Sequence, residues 1–353
     1  MEVKMQDTKQ IVTLESIFDS PQWQDSNARL PLALGKDTDG NVIVPDLARM
    51  PHLLISGVTG SGKSVCMYSI ILGLLKKYSP AELKFIMADL KVVELYDFKD
   101  LPHLQCPIAN SCDDTLNALQ WCAAEIDRRY QVMKNAPCRG IYQYNADGHP
   151  KLPYIVFILN ELSDLMVNDN KLAEKVENVI VKICQKGHSV GIHIIISTVR
   201  PSNQVITNSI ASNIPGRLAF RTVSNTCSKV ILGEVGAEKL SGCGDMLALL
   251  PPNRDLLTIQ GAYASYEDIQ QSVPHPPQTI YPLDFPADAP GDASTDFQQY
   301  LRPGDTYGFQ LAVELVISTG KATISHLRRN LKIGYNRATE YMDLLRERVV
   351  IKK

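Results

Sequence analysis

The sequence predicts an α/β fold: a P-loop ATPase domain with a mostly parallel sheet, led into by a small N-terminal α/β segment and followed by a C-terminal winged helix-turn-helix. Three observations predict it. The stretch Gly57-Val58-Thr59-Gly60-Ser61-Gly62-Lys63-Ser64 places Gly, four free positions and Gly-Lys-Ser between an apolar run and a run of helical spacing. From Pro51 to about Gln260, short apolar runs alternate with helix-like segments, as in a sheet covered on both faces by helices. A proline-rich stretch then separates this body from a basic C-terminal segment.

The glycine-rich stretch carries the most chemistry. His52-Leu53-Leu54-Ile55-Ser56 before it reads as a buried strand, and Ile70, Ile71, Leu74 and Leu75 after it recur at helical spacing until Ser79-Pro80 stops the helix. Glycines let Gly57, Val58, Thr59, Gly60, Ser61 and Gly62 turn their N–H groups onto a triphosphate, and the helix N-terminus adds positive partial charge there. Lys63 would reach the β- and γ-phosphates of ATP, and the Ser64 hydroxyl would ligate Mg2+.

Composition bounds the rest. With 353 residues, 44% hydrophobic and 21% charged, the chain has the make-up of a globular protein of two or three domains. No apolar run is long enough to span a membrane and Met1-Glu2-Val3-Lys4 lacks a signal-peptide layout, so a cytoplasmic location is expected. Eight scattered cysteines without a C-x-x-C pair fit reduced thiols better than a disulfide frame or a zinc site. The formal net charge of −2 hides an asymmetry: Phe309 to Lys353 holds nine Lys/Arg against four Asp/Glu, leaving 27 against 34 elsewhere. A basic module therefore follows an acidic body.

In order, residues 1–50 show a short helix near Leu14 to Asp19 and two strand-like runs, Leu30 to Asp37 and Gly40 to Asp46, around an Asp-Gly turn. Nothing in them has the layout of a site, and they read as scaffold. Residues 51–273 read as the main α/β domain, with strands expected at Lys84–Ala88, Tyr154–Leu159, Ile192–Thr198 and Arg217–Arg221 and helices at Thr115–Met133 and Lys171–Gln185. Residues 274–308, with seven prolines among small and acidic residues, read as a linker. In 309–353, a helix from Phe309 to Ser318 precedes a second, capped by Thr323 and running through Asn330, and a third from about Asn336 to Arg346, with a break at Gly334. Helix, glycine turn and helix is the layout of a helix-turn-helix, and Val349-Val350-Ile351 would begin a wing. In that geometry Asn336 and Arg337 reach base edges of double-stranded DNA, while Arg328, Arg329 and Lys332 contact phosphates. Arg346, Arg348, Lys352 and Lys353 read as a solvated face.

Several further stretches carry a family likeness. Met50-Pro51-His52-Leu53-Leu54, the phosphate loop, Leu101-Pro102-His103-Leu104, Glu125-Ile126-Asp127-Arg128-Arg129-Tyr130, Arg200-Pro201-Ser202, Asn213-Ile214-Pro215, Gly236-Ala237-Glu238-Lys239-Leu240 and Gly244-Asp245-Met246-Leu247 together resemble the motor of FtsK/SpoIIIE DNA translocases. Lys332-Ile333-Gly334-Tyr335-Asn336-Arg337-Ala338 resembles that family's γ winged-helix domain. The resemblance implies a RecA-like motor that assembles as a hexamer, moves along duplex DNA with ATP and Mg2+, and serves chromosome segregation and cell division, with the γ domain reading orienting sequences. Many family members are tethered to the membrane through a region absent here.

Departures from the family pattern fall on the hydrolytic side. Where the family ends its second nucleotide motif in Asp-Glu, this chain has Asn160-Glu161, so a neutral amide replaces the magnesium-shell carboxylate while Glu161 stays available as the base. Gln-Lys-Ala-Arg, whose Arg resembles a trans-acting finger, is Gln185-Lys186-Gly187-His188, and Thr-Gln-Arg-Pro is Thr198-Val199-Arg200-Pro201. Arg200 or Arg217 would then take the finger's catalytic part. The alternatives are a diverged paralogue that binds ATP and DNA but hydrolyses poorly, and a mobile-element DNA-transfer motor.

Overall fold

The computed structural model describes residues 11–134, 136–253, 255–273, Phe309, Ala312, Val313, Val316, 323–331 and 335–347, with the backbone alone at 329–331, 335–337 and 347. Contacts divide the chain into two compact units, Met1–Pro286 and Ala287–Lys353.

The first unit is built on one nine-stranded sheet: β1 (Gly35–Asp37), β2 (Val42–Ile43), β3 (Leu53–Ser56), β4 (Leu83–Asp89), β5 (Tyr154–Asn160), β6 (Ile192–Thr198), β7 (Gly216–Phe220), β8 (Asp245–Leu249) and β9 (Leu256–Gly261). The order is β2-β1-β9-β8-β7-β3-β6-β5-β4. From β7 to β4 neighbouring strands are parallel, whereas β8, β9, β1 and β2 extend the sheet antiparallel. The parallel strands match the expected apolar runs because they are buried on both faces: Leu53, Ile55, Met87 and Ile158 enter one core, and Leu54, Ile86, Phe157 and Ile196 the other. Strands β8 and β9 were not among the expected ones. The 1–50 hairpin pairs with β9 and so becomes the edge of the motor's own sheet.

Helices Lys63–Lys77, Cys112–Met133 and Asn170–Lys186 begin and end close to their expected bounds. Each start has a local cause. Ser111 and Asp169 cap two of them with side-chain oxygens, and the glycine loop feeds the third. The Glu125–Tyr130 stretch proves structural: the buried Arg129 guanidinium pairs with Glu125 and donates to the carbonyls of Pro153 and Val190, each at 2.8 Å, pinning the lead-ins to β5 and β6. In the second unit Phe309, Ala312, Val313 and Val316 are helical and buried at i, i+3, i+4, i+7 spacing, packed with Leu327, Ala338, Tyr341, Met342 and Leu345. Helix Ile324–Leu331 has its first turn capped by Thr323, whose Oγ1 accepts the His326 N–H at 3.1 Å, and helix Tyr335–Glu347 follows. Lys332, Gly334 and the wing residues Val349 to Ile351 lie outside the described residues.

Two buried histidines tie β3 to β6. His52 Nδ1 accepts the Ile194 N–H at 3.1 Å and its Nε2–H donates to the Cys184 carbonyl at 3.0 Å, while His193 Nδ1 pairs with the Pro51 carbonyl at 2.8 Å. Burial pushes His52 down to about 3 and His193 to about 4 from the ordinary 6.5. The folded chain stays neutral at both sites while the unfolded chain takes up protons below its ordinary value. The stabilisation is therefore full above about pH 6.5 and lost as pH falls toward about 4. Thermal melting followed from pH 7.5 to about 4.5 is expected to show a steep fall in Tm that His193→Phe makes shallower; an identical slope in the variant would exclude His193 as a cause.

Candidate functional site

The chain leaves β3 at Ser56, whose hydroxyl donates to the Thr198 carbonyl at 2.8 Å and locks the tips of β3 and β6 together. Two glycines shape the loop that follows. Gly57 has φ 154°, and a Cβ there would stand 2.7 Å from the Phe220 Cβ. Gly62 has φ 115° and lies so close to Gly244 that a Cβ would meet its backbone at 2.8 Å; only glycine fits either place. Lys63 begins the helix nearly buried, its Nζ donating to the Val58 carbonyl at 3.0 Å, the same oxygen that takes the Ser61 hydroxyl at 2.6 Å. Burial pulls this ammonium below the usual lysine range, an effect that the Glu94 and Glu161 carboxylates oppose.

A cavity of about 460 Å³ opens over the loop. One part of its lining is Thr59, Gly60, Gly62, Lys63 and Ser64, and another is Ile11, Val12, Ala262 and Tyr263. The second part is built where the Tyr263 N–H donates to the Val12 carbonyl at 2.7 Å, so the N-terminal segment, read from sequence as scaffold, supplies a wall of the site. Glu94 and Val199 also line the cavity. Sequence reasoning missed Ile11, Glu94 and Tyr263; none belongs to a spaced motif, and each arrives through long-range contacts.

The tip of β5 brings in the hydrolytic candidates. Glu161 has φ 63°, a left-handed conformation that strains any residue with a Cβ. Its Oε1 accepts from the Ser163 hydroxyl at 2.6 Å and the Thr198 hydroxyl at 2.7 Å, and its Oε2 from the Val199 N–H at 3.0 Å. The preceding Asn160 donates through Nδ2 to Asp89 Oδ1 at 3.2 Å. Of the two residues expected to face magnesium, Ser64 lines the cavity and Asn160 does not, and among the described residues no group of three His, Cys, Asp or Glu could hold a metal. A lone hydroxyl at the loop fits magnesium carried in on phosphate, not a protein-only cage.

The two arginines expected to replace the finger are not brought to the loop. Arg217 sits in β7 with its guanidinium donating to the carbonyls of Ile214 (3.2 Å), Ile231 (2.9 Å) and Ala211; it closes helix C-termini, which corrects its catalytic assignment within one chain. Arg200 is exposed beyond β6 and does not line the cavity. His188 is exposed in a short turn after helix Asn170–Lys186. Arg328 is exposed on helix Ile324–Leu331, and Arg329, Asn336 and Arg337 lie on helix backbone.

A glycine loop from a central parallel strand onto a helix, with a Glu at the tip of a nearby strand, defines a P-loop ATPase fold of the RecA-like type. The FtsK/SpoIIIE family profile matches residues 13–203 and the Ftsk gamma domain profile residues 305–353. The DNA translocase FtsK of Haemophilus influenzae is 37% identical over 382 residues, covering 97% of this chain and 70% of that protein. That of Leptospira interrogans is 40% identical over 329 residues, covering 90% of this chain but only 34% of its own length. The chain belongs to the FtsK/SpoIIIE family. Among solved structures, the cytoplasmic domain of the Thermomonospora curvata Type VII secretion ATPase EccC aligns with TM-score 0.64 at 25% identity, over 76% of this chain and 35% of that one. The pCW3 conjugation coupling protein TcpA with ATPgS shares the fold, with TM-score 0.62 at 23% identity over 73% and 75% of the two chains. No helix among the described residues is long and apolar enough to cross a membrane.

The Arg217 geometry has a direct check. Arg217→Met removes three charge-assisted bonds and leaves helix-end carbonyls without their donor, a loss of about 2 kcal/mol or more. Melting is expected several degrees lower with tripolyphosphate affinity unchanged. An unaltered melting curve with lost ATP turnover would return Arg217 to catalysis.

Proposed function

We propose that this chain is an ATP-dependent double-stranded DNA translocase acting in chromosome segregation and cell division on the cytoplasmic side, working as a hexameric ring. The observation that carries the reading is the glycine loop with Lys63 buried beside Glu161 in an FtsK/SpoIIIE chain. In the ATP-bound protein, Lys63 exchanges the Val58 carbonyl for a phosphate oxygen, and the loop N–H groups and helix N-terminus take the remaining charge. Ser64 offers its hydroxyl oxygen to Mg2+, which when bound neutralises phosphate charge. Glu161, once free of the Ser163 and Thr198 hydroxyls, takes the proton of the attacking water. The exposed Arg200 and His188 are available to a neighbouring copy, and Asn336 and Arg337 read base edges in the major groove while Arg328, Arg329 and Lys332 hold phosphates.

One observation favours a second reading, in which ATP and DNA are bound but turnover is slow. Both Glu161 oxygens are taken by donors from β6 and its own turn, and no arginine lines the cavity among the described residues. A finger is worth about 10³ to 10⁵ in rate, so a site that receives none from a neighbouring copy would hold ATP without spending it.

ATP hydrolysis with and without long duplex DNA separates the two: several-fold stimulation is expected, and background hydrolysis unaffected by DNA would sink the translocase reading. The cavity wall gives a second expectation. Tyr263→Ala weakens ATP binding about fivefold through a lost stacking contact while leaving inorganic tripolyphosphate binding unchanged; equal losses for both would show that the variant damages the loop instead.

A further inference from the structure

Among the described residues, the lining of the cavity over the glycine loop holds one carboxylate, Glu94, and one cation, Lys63. Glu161 does not line it, and both of its oxygens are taken by donors behind the loop. Glu94 is brought there by its backbone. The buried Asp89 carboxylate at the end of β4 accepts the N–H groups of Val93, Glu94 and Leu95 through Oδ2 at 3.1, 2.9 and 3.0 Å, while its Oδ1 accepts the Lys91 N–H at 3.3 Å and the Asn160 amide of β5 at 3.2 Å. Val92 sits in this turn at φ 53°, a left-handed conformation that a β-branched residue adopts only under constraint. The Glu94 side chain itself is left over. Among the described residues no hydrogen bond or ion pair takes up its carboxylate, and the preceding Lys91 is paired with Asp164 at 3.2 Å instead.

A carboxylate in a triphosphate site cannot touch the phosphates, whose charge has its own sign, so it faces a hydrogen donor or a cation set between them. Its position says which phosphate. Of the two carboxylates that act on the Lys63 ammonium Glu94 acts more strongly, and the lysine of such a loop reaches the β- and γ-phosphates. Glu94 therefore stands at the hydrolysed end of the triphosphate, where the attacking water must be. The Lys63 ammonium already supplies positive charge on this side, which leaves water as the group to be held. We propose that Glu94 is a second catalytic carboxylate, which accepts a hydrogen bond from the attacking water and holds it in the cavity beside Lys63. The water oxygen bonds to the γ-phosphorus as the bond between that phosphorus and the β,γ-bridging oxygen breaks. One hydrogen leaves as a proton to Glu161, and the hydrogen held by Glu94 stays on the phosphate formed. Asp89 is the positioning residue, since it sets the turn and touches no substrate. The inference rests on the P-loop reading above and adds the residue that keeps the water in place.

The test uses the full chain and Glu94→Gln, which keeps the side-chain shape and removes its charge. ATP hydrolysis in Mg2+ is expected to fall about 10²-fold in kcat, while the Kd of tripolyphosphate in EDTA tightens about threefold or more, because a like charge has left the cavity. A merely structural role would weaken both, and that result overturns the inference. A kcat within about twofold of the parent overturns it as well. Weaker binding of ATP in Mg2+, with tripolyphosphate affinity in EDTA unchanged, assigns the carboxylate to the metal and also overturns it. If Glu94→Gln yields no folded protein, Glu94→Asp decides, since it keeps the charge and shortens the reach: kcat lower by about tenfold or more with a parental tripolyphosphate Kd supports the inference, and a parental kcat overturns it. An unaltered chain that binds neither ATP nor tripolyphosphate removes the P-loop reading and this inference with it. One that binds ATP but shows no single-turnover hydrolysis with protein in excess overturns this inference and leaves the loop reading standing.

Discussion

Lys63 is a cation held almost out of water, and most of the site follows from what that demands. A buried ammonium without partners is costly, and the loop supplies one at once in the Val58 carbonyl. The field that keeps the charge in place comes from farther away, from Glu94 after β4 and Glu161 after β5. These two carboxylates are in reach only because β4, β5, β6 and β3 are parallel neighbours whose carboxyl ends finish side by side. Sheet order thus brings these carboxylates toward Lys63 as well as solving the packing.

The same convergence explains why so many side chains at the strand tips are spoken for. Ser56 bonds to the Thr198 carbonyl, the Thr198 hydroxyl bonds to Glu161, and the residue after Thr198 gives its N–H to the same carboxylate. Three strands are joined in one polar seam directly behind the loop. A seam of this kind is rigid while fully satisfied, and it reports on the cavity because Val199 belongs to both.

Much of this was legible in the sequence, and the reasons for the remainder are physical. The phosphate loop and the five parallel strands announce themselves locally, by fixed spacing and by apolar runs buried on two faces. In the second unit the segment around Phe309 does so through the i, i+3, i+4, i+7 pattern of Phe309, Ala312, Val313 and Val316, and the helix that follows does so through its Thr323 cap. Strands β8 and β9 escaped because neither is a run buried along its whole length, and their pairing is decided by antiparallel register with β7 and β1, not by their own pattern. Arg217 misled for a related reason: a charged residue at a strand start looks available, and only the fold shows three carbonyls already using it. The roles of Asp89 and Tyr263 depend on contacts between segments far apart in the chain, which no single stretch encodes.

The close approach of Gly62 and Gly244 has a consequence for transplanting this loop. Gly244 donates its N–H to the Ser61 carbonyl at 2.9 Å and accepts the Gly261 N–H at 2.8 Å, so the backbone behind the loop is a separate turn, met almost two hundred residues later, that touches it main chain to main chain. The eight-residue motif is therefore half of a two-piece part. Grafted alone onto another scaffold, it would lack the surface against which its last glycine is moulded, and the turn around Gly244 would have to travel with it.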